Sequence, residues 1–211
     1  INTMSKSVIL IPSRLSATRL PGKPLLKIND MSIISHVVKK ANEAGIGDVY
    51  VATEDQEIID DVKSNGGNAI LTSKKHKTGT DRIHEAFKKL NRKDINFIMN
   101  IQGDEPEMDI NDIKNLDNKM KVNNSKIGTL AAKISNSEIY TNKDIVKVKL
   151  NESFEKNLFP FAVNFMRMTK DQKNIFHHLG IYSYEVETLK KLISFDQSKN
   201  ELKNSLEQLR A

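Results

Sequence analysis

Apolar and polar positions along the first half of the chain follow two alternating periods. Short β-branched and apolar runs at 7–12 (SVILIP), 49–53 (VYVAT), 68–72 (NAILT) and 97–102 (FIMNIQ) have the length and composition of buried strands. Between them the period lengthens to that of a helix. In SIISHVVKKANEAG (32–45), Ile33, Ile34, Val37, Val38 and Ala41 form one stripe that runs out at Gly45, a suitable residue just beyond a helix C-terminus. DQEIIDDVKSNGG, placed after Thr53 as a candidate N-cap, and DRIHEAFKKLN read the same way, and a further helix is expected to start near Ile110. Such alternation predicts right-handed crossovers and a mostly parallel sheet in an α/β fold.

The second half changes character. IGTLAAKI (127–134), DIVKVKL (144–150), FAVNFMR (161–167) and HHLGIYSY (177–184) are strand-like, and no helical pattern separates the last three. A mixed region with antiparallel pairs is therefore expected beside the parallel strands. KNELKNSLEQLR (199–210) reads as a helix with Leu202, Leu206 and Leu209 on one side. No repeat and no low-complexity linker divides the chain, which predicts a single domain over 1–211.

Composition narrows the class. A chain of 211 residues, 38% hydrophobic and 28% charged, can bury one sizeable core. No apolar run approaches the roughly 20 residues that span a bilayer. The start INTMSKSVILIP lacks the shape of a signal peptide, and there are no cysteines for disulfides or thiolate metal sites, so a cytoplasmic location without membrane insertion is expected. A net charge of +6 invites a nucleic-acid reading. Residue usage weakens it: the 27 lysines scatter over helix faces, aromatics are few, and RNA-binding motifs are absent. Of the six arginines, all but Arg92, which reads as a plain surface charge, are more selectively placed, as expected where a planar bidentate donor is wanted.

The first strand empties into SRLSATRLPGKPL (13–25), where Arg14, Arg19 and Lys23 sit among two prolines and a glycine. Their spacing fits no helical face, and the prolines exclude a helix interior. In open parallel sheets, ligands bind at the carboxyl ends of strands. This cationic loop and the acidic GDEPEMD after the fourth strand should therefore meet at one edge. Neither a dinucleotide-binding glycine motif nor a P-loop is present. A cationic loop facing a carboxylate suits a metal-bound triphosphate, with Asp104 as the metal-ligand candidate. The residues leave a second reading open, in which Asp104 caps a helix or serves a turn and the loop is a solvated or non-catalytic anion-binding surface.

The segments IPSRLSATRLPGKPL, TGTDR, NIQGDEPEM, HLGIY and LEQLR, in this order, resemble the 3-deoxy-manno-octulosonate (Kdo) cytidylyltransferase family from about residue 7 to residue 211. The resemblance implies a Rossmann-like nucleotidyltransferase fold, a homodimer, and Mg²⁺-dependent conversion of CTP and Kdo to CMP-Kdo and pyrophosphate for lipopolysaccharide synthesis. It implies that Arg14, Arg19 and Lys23 bind the triphosphate, that Thr78, Gly79 and Gln102 meet the nucleoside, and that Asp104 holds the catalytic metal. On the sugar side it implies Arg167 facing the carboxylate, with His178, Tyr182, Glu207 and Gln208 on the hydroxyls; the adjacent His177 reads as structural. Sugar binding and dimerisation would then lie in a region at about 130–190.

Two departures qualify this. NFMR (164–167) agrees with the family's Y-F-S-R only at Phe165 and Arg167, Met166 replacing a hydrogen-bonding serine, and the stretch from Arg167 to His178 is short. A related acidic sugar is therefore the alternative substrate. The family also continues past LEQLR to a D-T-P-E-D segment carrying a second metal carboxylate, so residue 211 is expected not to be the natural terminus.

Overall fold

The computed structural model describes residues 4–16 and 19–195. The chain forms two compact units, one of 1–128 with 181–193, the other built on Thr129–Gly180.

In the first unit, β1 (Lys6–Ser13) leads through a 3-10 turn at Lys23–Leu25 and a small hairpin, β2 (Lys27–Ile28) and β3 (Met31–Ser32), into α1 (Ile33–Glu43). β4 (Gly47–Thr53), α2 (Gln56–Ser64), β5 (Ala69–Leu71), α3 (Gly79–Leu90), β6 (Ile95–Asn100) and α4 (Ile110–Val122) follow. The strand order is β5-β4-β1-β6, all parallel, as the alternating periods predict. Two later segments, β7 (Ile127–Ala132) and β10 (Ile175–Glu185), each belong in part to both units; the end of β10 pairs antiparallel with β6, and α5 (Val186–Ser194) closes the unit.

Both faces of these strands are covered. Val8, Leu10, Ala52 and Ile98 pack with Ile83, Ala86 and Phe87 of α3 and with Val186, Leu189 and Leu192 of α5. The alternate residues Ile9, Ile11, Val51 and Met99 are buried as well, and α1 packs against β1 and β4. Burial on both sides explains why these strands read as continuous apolar runs and not as an alternating pattern.

Local signals shift several helix starts. Ser32 caps α1 by accepting from the Ser35 N–H at 3.1 Å. α2 begins past Asp55 instead of at Thr53, which still lies in β4 and accepts from the Asp55 N–H at 3.1 Å. α3 begins two residues before the predicted Asp81 because Thr78 accepts from the Asp81 N–H at 3.1 Å.

In the second unit, a 3-10 turn at Ser137–Tyr140 precedes β8 (Lys147–Leu150) and β9 (Ala162–Met166). β8 pairs antiparallel with β9 on one side and with the start of β10 on the other. This is the expected antiparallel region, built around a small cluster of Val148, Leu150 and Phe176. The predicted helix at 199–210 lies outside the described residues.

Candidate active site

Because β1 and β6 run parallel as neighbours, the loops after Ser13 and after Asn100 leave the same edge. Gly22 makes the first loop possible. Its φ of 76° is left-handed, a conformation that glycine adopts without strain. There its N–H donates to the Leu15 carbonyl at 2.9 Å and folds the loop back on itself. Buried Pro24 anchors the following turn, and the Leu15 N–H donates to Asp55 Oδ2 at 2.8 Å.

This closure sets Lys23 Nζ 3.3 Å from Asp104 Oδ2. The two side chains come from residues 81 apart in sequence, and they are 35% and 54% exposed. An ion pair this accessible adds little stability. Its importance is placement: a cation and a carboxylate meet at the strand ends. Arg14 and Arg19 are exposed on the same loop.

Asp104 is not the cap of α4. Asp109 fills that position and accepts from the Asn111 N–H at 2.8 Å, which leaves Asp104 outside the helix start. Beside it, desolvation first and the Asp104 charge second push the Glu105 carboxyl above its ordinary range. Among the described residues there is no cluster of three metal-ligating side chains. A single carboxylate beside a cationic loop still fits Mg²⁺, which binds through one or two carboxylates together with phosphate oxygens and waters.

The TGTDR segment reaches this edge from α3. Gly79 opens the helix so close to β1 that a Cβ there would lie 3.1 Å from Pro12 Cγ. The Thr78 hydroxyl is taken up by the helix start, donating to Asp81 Oδ2 at 2.8 Å. Gln102, half-buried, sits two residues past the end of β6.

A further set of residues, to which the sequence reading gave no role, supports this region. Arg82 is 3% exposed. It donates to Thr72 Oγ1 at 2.6 Å and to the Ser73 carbonyl at 3.2 Å, and lies 3.6 Å from Glu54. Glu85 accepts from the Ser73 N–H at 2.9 Å and pairs with His76 and Lys89. Burial alone would raise its pKa, but the bonds from His76, Ser73 and Lys89 bring it down to about 2. Together these residues tie the 72–78 loop to α3. The signal in the sequence is that Arg82 ends the TGTDR segment and is one of only six arginines.

Of the residues assigned to the sugar, Arg167 and His178 lie in the second unit and Tyr182 in the first. Arg167 follows β9, and its Nη1 donates to the Lys143 carbonyl at 3.0 Å. His178 is 8% exposed. Its Nε2 lies 3.0 Å from Thr129 Oγ1, and its ring stands edge-on to Phe165. Burial, with a smaller contribution from His177, lowers its pKa to about 4, so the imidazole is neutral near pH 7. Tyr182 pairs in register with Asn100 and stacks on Tyr184. Glu207 and Gln208 lie outside the described residues.

The chain is similar to known proteins over nearly its whole length. Residues 8–211 match the family described as cytidylyltransferase. The chain is 39% identical to the 3-deoxy-manno-octulosonate cytidylyltransferase of Thermodesulfovibrio yellowstonii, over 97% of this chain and 85% of that protein. It is likewise 39% identical to that of Nitrobacter winogradskyi, over 99% and 83%. A solved CMP:2-keto-3-deoxy-manno-octonic acid synthetase complexed with CTP superposes with a TM-score of 0.86 at 36% identity, over 98% of this chain and 85% of that one. A 4-diphosphocytidyl-2C-methyl-D-erythritol synthase from Anaerococcus prevotii, 12% identical with a TM-score of 0.62 over 96% and 82%, shares the fold.

Proposed function

The chain belongs to the cytidylyltransferase family, among the 3-deoxy-manno-octulosonate cytidylyltransferases, and on that premise we propose that it transfers CMP from CTP to Kdo with release of pyrophosphate, activating the sugar for lipopolysaccharide synthesis. The observation that carries the reading is the Lys23–Asp104 pair, in which a cationic loop and a carboxylate meet at one edge, as a metal-bound triphosphate would require.

In this reaction the anomeric hydroxyl of the sugar forms a bond to the α-phosphorus of CTP. The bond from that phosphorus to the bridging oxygen breaks, and pyrophosphate leaves. Arg14, Arg19 and Lys23 bind the triphosphate and stabilise the charge that accumulates on the departing group. Asp104 would hold Mg²⁺, and the ion when bound would supply positive charge to offset that of the phosphates. Gly79 and Gln102 border the nucleoside. On the sugar side, Arg167 supplies a planar fork matched to a carboxylate. Neutral His178 carries one donor and one acceptor, and its Nε2 is held by the Thr129 hydroxyl.

Leu158, Phe161 and Val163, large apolar side chains exposed on the second unit, support a homodimer. No described helix is long and apolar enough to cross a membrane, and a cytoplasmic location fits a CTP-using enzyme.

Pyrophosphate release measured with CTP, ATP, GTP and UTP, each against Kdo and with Mg²⁺ present or removed by chelation, tests the reading. Turnover with CTP and Kdo that requires Mg²⁺ is expected. Equal turnover with all four nucleotides, or none with Kdo, overturns it.

A further inference from the structure

Lys147 stands in β8 and is 0% exposed, the largest side chain in the molecule to be fully buried among the described residues. A buried ammonium is strongly unfavourable unless all three of its donors find partners. Here each ends on a backbone carbonyl: that of Asn142 at 2.7 Å, that of Ile145 at 2.6 Å, and that of Arg167. Two of these acceptors belong to the turn that precedes β8, and the third to the residue that follows β9. The Arg167 guanidinium leans on the same turn, through the Lys143 carbonyl at 3.0 Å. The ammonium is thus a staple between that turn and the backbone on which Arg167 stands. Desolvation, with a smaller contribution from the Arg167 charge, keeps its pKa below that of an ordinary lysine.

A methionine of similar length would fill the same volume without bringing a charge into the interior, and such replacements are often neutral or stabilising. A lysine is therefore a poor choice if β8 only needs filling. It is a good choice if the relation between the 142–145 turn and residue 167 has to be held within a fraction of an ångström, as a bidentate ligand contact requires.

We propose that Lys147 is a positioning residue for the acidic sugar: its ammonium, bonded to the carbonyls of Asn142, Ile145 and Arg167, holds the Arg167 backbone where the guanidinium can meet the sugar carboxylate. This rests on the reading of Arg167 as the carboxylate-binding residue.

The test is a double-mutant cycle on the full-length protein. Pyrophosphate release by Lys147→Met, Arg167→Ala and the double variant is measured with Kdo titrated at saturating CTP, and CTP binding is measured separately by calorimetry. Lys147→Met should raise the KM for Kdo about tenfold with kcat and CTP affinity little changed, and should add almost nothing in the Arg167→Ala background, since its effect passes through Arg167. Lys147→Arg, which retains charged donors, should restore part of the lost affinity for Kdo.

An unchanged KM in Lys147→Met, a fully additive double variant, or an equal loss of CTP affinity overturns the proposal while leaving Arg167 in place. If Arg167→Ala itself leaves the KM for Kdo unchanged, the carboxylate reading fails and the proposal fails with it. Should Lys147→Met not fold, the same cycle run with Lys147→Arg decides: a KM effect that vanishes in the Arg167→Ala background supports the staple, and its absence overturns it.

Discussion

The two units handle buried polar groups differently. In the first, apolar side chains from four strands and two helices form a continuous layer, and the deepest charge among the described residues, Arg82, has the Glu54 carboxylate 3.6 Å away. In the second, Val148, Leu150 and Phe176 form a small buried cluster among the described residues, and the unit also buries a lysine bonded to carbonyls and a histidine bonded to a threonine. Several of its large apolar side chains, Leu158, Phe161, Val163 and Met168, face outward instead. Where apolar area is ample, non-directional packing shapes the scaffold, and its edge loops are released for chemistry. Where the cluster is small, directional polar bonds have to specify the geometry.

The largest break in this contrast should come at the edge of the first unit. Asp104→Asn keeps the side-chain shape but removes the charge beside Lys23. We expect kcat/KM to fall by roughly 10²–10³, about 3–4 kcal/mol of transition-state stabilisation, in a pyrophosphate assay. The melting temperature should hold, since an exposed pair contributes little. Activity within a few-fold of the parent would remove this loop from the chemistry.

Acid should act next, and on the second unit. The His178 pKa is about 4 in the folded protein against an ordinary 6.5. As pH falls below 6.5, the unfolded chain takes up this proton before the folded one does. The contribution of the neutral imidazole is therefore complete above pH 6.5 and declines toward pH 4, by up to about 3 kcal/mol. Urea unfolding at pH 7.5 and 4.5 should show the decline, and His178→Gln, which keeps a partner for Thr129, should flatten it. Glu85 in the first unit occupies a lower window: its pKa falls from 4.5 to about 2, so its contribution is lost only as pH drops through that range. A variant with an unaltered slope above pH 4.5 would assign the acid sensitivity to another group.

A smaller effect is expected from Arg19→Lys. Charge is retained, but a two-pronged phosphate contact becomes a point contact. The loss should be roughly 1.5–3 kcal/mol, about ten- to a hundredfold in kcat/KM. Near-parent turnover would make the loop a solvated surface.

The smallest change sharpens the picture of α3. Removing the cap with Thr78→Ala should cost about 1 kcal/mol of unfolding free energy, and Thr78→Ser should recover most of it. No change in either would mean that Gly79 and its contact with Pro12 set the helix start unaided.

Much of the first unit was legible in the chain because burial on both faces leaves a local record. Its four parallel strands appear as apolar runs, and the stripe from Ile33 to Ala41 emerges as α1. The meeting of Lys23 with Asp104 also followed, since parallel neighbours send their loops to one edge. Less was legible in the second unit. Lys147 lies in DIVKVKL, where alternation makes a lysine look like an outward-facing residue; its burial depends on carbonyls from Asn142 and Arg167, the latter 20 residues away.

The sequence by itself thus determined the strand and helix periods, the edge at which the cationic and acidic loops gather, and the family. Those follow from short-range periodicity and from residue types whose chemistry is intrinsic. Only the tertiary structure decided that Asp109 and not Asp104 caps α4, that Arg82 is buried against Glu54, that His178 is neutral, and that Lys147 faces inward. Each of these depends on which distant groups remove water from a side chain or replace it as a hydrogen-bond partner, and that is set by how the chain packs and not by its local pattern.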